Sequence, residues 1–82
     1  MKKHLTPPKK EEITCEDFAE FVYFMRNSIG YTKRTFADAI GVTRRTVINW
    51  EQGKGIPYDL YPVLTTIRNV VKLRIKNLRM AA

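Results

Sequence analysis

All four glycines of this chain fall between residues 30 and 55, at Gly30, Gly41, Gly53 and Gly55, and two of them are followed after one residue by a threonine, in Gly30-Tyr31-Thr32 and Gly41-Val42-Thr43. Glycine takes the left-handed conformation that ends a helix, and threonine accepts a hydrogen bond from the first-turn amides that begin one. The spacing therefore predicts a helix from after Thr32 to Gly41, showing Phe36, Ala37 and Ile40, and another from after Thr43 to Gly53, showing Val47 and Trp50. Each is about eight residues long, too short to hold alone in water, so both must pack on something longer.

Two longer helices are predicted on either side. Thr14 as N-cap, Asp17 three residues on, and Ile13 and Phe18 placed as a staple open a helix over 14–29. Its apolar line is Phe18, Val22, Met25 and Ile29, and Gly30 closes it. From Asp59 onward Leu60, Val63, Leu64, Ile67, Val70 and Val71 keep helical spacing, with Pro62 tolerated in the first turn. No strand pattern competes. The expected fold class is all-α, a small domain of four to five helices over 13–82 with a basic C-terminal helix, preceded by a flexible basic arm over 1–12.

At 82 residues, 44 % of them hydrophobic, there is room for one modest core. The net charge is +7, and residues 1–30 are balanced, so the whole excess lies after Gly30. A folded domain with an acidic partner is the first reading. The longest apolar run, from Phe21 to Met25, is far below the ~20 residues that span a bilayer, and no signal-peptide stretch opens the chain. A cytoplasmic, nucleoid-associated protein without membrane contact is expected. Cys15 and His4 are the single cysteine and histidine, which argues against a disulfide framework, a zinc set and a Cys–His nucleophile pair. Neither a metal nor a cofactor is expected, and no enzyme activity.

The two short helices joined by Gly41-Val42-Thr43 form a helix-turn-helix pattern. Phe36, Ile40, Val42, Val47 and Trp50 are apolar where the pair must bury, Ala37 is small at the crossing, and Gly41 suits the turn. On a helical wheel Thr46, Val47 and Trp50 share one arc, while Arg44, Arg45, Ile48, Asn49 and Gln52 take the opposite one. Arginine can bond guanine O6 and N7 in parallel, asparagine can pair with adenine, and an apolar tip such as Ile48 suits a thymine methyl. Thr43 can cap the helix and offer its hydroxyl to DNA, where the helix dipole favours a phosphate.

The segment from Arg26 to Pro57, with YTKRTFADAIGVTRRTVINWEQGKGIP at its centre, resembles the lambda-repressor-like helix-turn-helix family of Cro and XRE-type regulators. The resemblance implies a domain that binds operator DNA, an inverted repeat, as a homodimer, with helix 43–52 in the major groove. By position, Thr43, Arg44, Arg45 and Asn49 match the base-contacting residues of the family. Thr32, Lys33, Gln52 and Lys54 match its phosphate-contacting residues, and Arg26 and Glu51 match an ion pair tying the first helix to the recognition helix. Lys33 stands where the family usually has glutamine. A fifth helix after a loop is expected from the family, yet no breaker interrupts Ile67 to Met80.

Each functional reading has a plainer rival. Trp50 is read as core rather than as a stacking platform, and Glu51 and Asp38 as ion-pairing groups rather than a catalytic pair. Phe21, Tyr23 and Phe24 are read as packing internally, the rival being that one of them is exposed and used in self-association. The basic residues Arg68, Lys72, Arg74, Lys76 and Arg79 are read as a solvated or phosphate-facing helix face. Leu73, Ile75, Leu78 and Met80 exceed what a four-helix core uses, and a twofold copy is the expected cover; the rival is a tail folded back on Phe21 and Phe24. The residues and the resemblance together lead to the expectation of a dimeric transcriptional regulator, a repressor. The alternative is an antitoxin or adaptor whose main role is to bind a partner protein.

Overall fold

The computed structural model describes residues 13–81, so the arm expected over 1–12 lies outside the described residues. Four helices and no strand are present among the described residues: α1 (Cys15–Ser28), α2 (Lys33–Ile40), α3 (Arg44–Glu51) and α4 (Leu60–Ala81). The fold is all-α.

Local chemistry sets the boundaries of the first three helices. The Asp17 amide donates to Thr14 Oγ1 at 2.9 Å and the Thr14 amide donates to Asp17 Oδ2 at 3.4 Å, a reciprocal capping box that starts α1. Thr32 caps α2 by accepting from the Thr35 amide, and Thr43 caps α3 by accepting from the Thr46 amide, each at 3.1 Å. Gly41 closes α2 at φ +82°, a left-handed conformation in which a side chain is strained. α1 is a residue tighter at each end than the 14–29 that the spacing predicts, while α3 begins after Thr43 as predicted and ends at Glu51, short of Gly53. Thr14, Ile29, Thr43 and Gln52 are caps with non-helical backbone or end geometry, not helical residues.

One core joins all four helices. Phe18, Val22, Phe36, Val47, Leu60 and Ile67 are the large side chains fully shielded from solvent. Phe18 meets Trp50 edge to face with ring centroids 5.1 Å apart, locking α1 to α3. Ile13, Met25, Ile40 and Val42 pack around this core half-buried.

The C-terminal part corrects two expectations. Among the described residues there is no fifth helix, because α4 runs without a break from Leu60 to Ala81. The same continuity removes the folded-back tail: Leu73, Ile75, Leu78 and Met80 are exposed, Met80 at 75 %. Tyr23 and Phe24 are both exposed as well, where internal packing of all three aromatics, or exposure of one, was expected. The helix projects past the body and gives the molecule its long dimension of 48 Å, against 28 and 18 Å across.

Candidate nucleic-acid interface

The site begins with how firmly α3 is held from behind. Val47 is fully buried and Trp50 nearly so, which fixes the rotation of the helix about its own axis. Its C-terminal end is tied to α1 by an ion pair: Arg26 Nε donates to Glu51 Oε2 at 2.6 Å and Nη2 donates to Oε1 at 3.0 Å. The two side chains are only 10 % and 7 % exposed. A planar fork on a carboxylate gives direction as well as attraction. The remaining arm, Nη1, donates to the Tyr31 carbonyl at 2.8 Å, so one arginine links α1, the turn before α2, and the end of α3. The hydrogen bond to Glu51 raises the Arg26 pKa above the ordinary arginine value, against the opposing effect of burial.

With Val47 and Trp50 inward, Arg44 and Arg45 are exposed on the first turn of α3, and Gln52 is exposed at its end. Ile48 and Asn49 are half-buried, not wholly outward as the wheel predicts. On so short a helix the flanking segments reach round its sides, and the Asn49 carbonyl accepts from the Lys54 amide at 2.9 Å as the chain turns back. Thr43 is exposed, and its hydroxyl lies 2.8 Å from that of Thr46 while accepting from the Thr46 amide. Thr32 has the same arrangement with Thr35 at the start of α2. Lys33 is half-buried on the first turn of α2, and Lys54 is exposed in the segment after α3.

These positions make one kind of surface. The N-termini of α2 and α3 each combine a capped threonine with cationic side chains, and no acidic residue occupies the first turn of either helix. Such an end attracts anions. No group of His, Cys, Asp and Glu that can hold a metal occurs among the described residues.

The family model described as Helix-turn-helix matches residues 22–57, from the middle of α1 through the segment after α3. Residues 22–57 carry a helix-turn-helix of the Cro type. In that helix-turn-helix α2 is the first helix and α3 the second, and the match is to a DNA-binding kind of domain. No curated protein and no solved structure matches the chain. No helix among the described residues is long and apolar enough to cross a membrane.

Sequence reasoning missed one contact around the helix-turn-helix. Arg74, placed with the solvated basic residues of α4, lies with its guanidinium carbon 5.2 Å from the centroid of the Tyr31 ring. Arg74 is seven residues after Ile67 and three after Val71, so it falls on the buried stripe of α4. That spacing was the available signal.

Proposed function

We propose that the protein is a homodimeric, sequence-specific transcriptional regulator, a non-enzymatic repressor that inserts α3 into the major groove of an inverted-repeat operator. The observation that carries this reading is the pairing of a rigidly anchored helix with an exposed first turn of Arg44 and Arg45. In this reading Thr43, Arg44, Arg45, Ile48 and Asn49 meet base edges, and Thr32, Lys33, Gln52 and Lys54 meet phosphates. The protein then works in the cytoplasm on duplex DNA.

The second protomer is placed on the projecting end of α4. Ile75 and Leu78 continue the inward stripe of Val71 at helical spacing, yet are 41 % and 47 % exposed because the body ends beneath them. A stripe that changes from buried to bare along one helix suits a twofold partner. The same bare stripe is what favours the adaptor reading, in which a different protein occupies it.

Selection from a random duplex pool tests the proposal. Enrichment of an inverted repeat supports it, while sequence-blind binding throughout leaves the adaptor reading in its place.

A further inference from the structure

The turn between α1 and α2 is held from two sides by two arginines. On one side the Tyr31 amide donates to the Arg26 carbonyl at 3.2 Å, and Arg26 Nη1 donates to the Tyr31 carbonyl at 2.8 Å. On the other side Arg74, from α4, lies over the Tyr31 ring. Arg74 Nε is buried and has no hydrogen-bond partner among the described residues. A buried donor left unpaired is unfavourable in itself, so the contact available to hold the guanidinium in place is the face of the aromatic ring. Cation–π attraction acts in that geometry, within about 6 Å of the ring centroid.

The residue after Tyr31 is Thr32, the cap of α2, and the next is Lys33. We propose that Arg74 is a positioning residue for DNA binding: by fixing the Tyr31 ring it sets the turn that presents Thr32 and Lys33 to the phosphate backbone. This rests on the reading of Thr32 and Lys33 as phosphate contacts. Arg74 itself touches no DNA in this account, and α4 acts on the interface through the aromatic ring alone.

The test uses the full chain and a fluorescent random-sequence duplex titrated over a salt series. Arg74→Met keeps the aliphatic stem and removes the charge; Tyr31→Leu removes the ring; Tyr31→Phe keeps the ring and loses only the hydroxyl. Arg74→Met and Tyr31→Leu are each expected to weaken binding about three- to tenfold, the range of a cation–π contact. The double variant is expected to bind no more weakly than the worse single one, because both remove the same contact. Tyr31→Phe and Arg74→Lys are expected to bind like the wild type or close to it. In a Lys33→Ala background, Arg74→Met is expected to add little.

Additive losses from Arg74→Met and Tyr31→Leu, or a loss from Arg74→Met with wild-type binding by Tyr31→Leu, overturn the inference and make Arg74 a direct phosphate contact. Lys33→Ala alone checks the underlying reading: its salt slope is expected to fall by about one unit. An unchanged slope there refutes the phosphate contact. A lowered slope there, with wild-type binding by both Arg74→Met and Tyr31→Leu, refutes the role of Arg74 alone. Melting curves of each variant keep loss of fold apart from loss of positioning.

Discussion

Arg44 and Arg45 have no hydrogen-bond or ion-pair partner among the described residues, whereas Arg26 uses its whole fork on Glu51 and Tyr31. Arg44→Ala and Arg45→Ala are therefore expected to leave melting unchanged and to lose discrimination at one base position each, by about 1–3 kcal/mol. Binding measured against single-base operator variants checks this, and a wild-type preference profile in either variant removes that residue from the readers. Glu51→Ala has the opposite profile. It strands the Arg26 charge in a nearly closed site and is expected to cost about 3 kcal/mol of stability, read by urea unfolding. Because the Arg26 pKa is raised, its part of that stability is fully present below the ordinary arginine range and is lost only as pH rises above it. Unfolding curves are thus not expected to show titration of Arg26 at neutral pH.

The helices owe their bounds to single residues, and substitutions there separate local from tertiary causes. Thr43→Ala removes the cap of α3 and is expected to cost about 0.5–2 kcal/mol. Gly41→Ala is expected to cost about 1–2 kcal/mol although nothing lies within 4 Å of the added Cβ, because the strain is in a backbone held at φ +82°. Urea midpoints check both, and an unchanged midpoint for Gly41→Ala contradicts the assigned cause. These elements were legible in the sequence because threonine caps and glycine ends act within three or four residues. The number of helices was less so. Nothing between Ile67 and Met80 breaks a helix, and the family's expected fifth helix gave way to that local fact. Arg74 was misplaced for a related reason: sorting α4 by charge put it with Lys72 and Lys76, while its spacing from Ile67 and Val71 put it on the buried side. The exposure of Ile48 and Asn49 depends on how the chain wraps after Gly53, which a single-helix wheel does not contain.

For the whole molecule the question is what the anchored α3 and the projecting α4 do together. Removing residues 75–82 keeps Arg74 over Tyr31 and deletes the bare stripe, so the truncated chain is expected to fold, to sediment as a monomer and to bind an operator more weakly. A dimer of unchanged affinity excludes that end as the interface. The core was readable at this scale, since Phe18, Val22, Phe36, Val47, Trp50 and Ile67 follow from periodicity and all are buried. The surface that meets a partner was not, because exposed apolar residues carry no mark of what covers them. The central claim is that α3 reads base sequence as one half of a twofold pair, and the measurement that addresses it most directly is selection of bound duplexes from a random pool, run in parallel on the wild type and Arg44→Ala. An inverted repeat with half-sites about one helical turn apart, altered at the same position in both halves by the substitution, is the predicted result. Enrichment of no sequence by the wild type, or of one that Arg44→Ala leaves untouched, contradicts it.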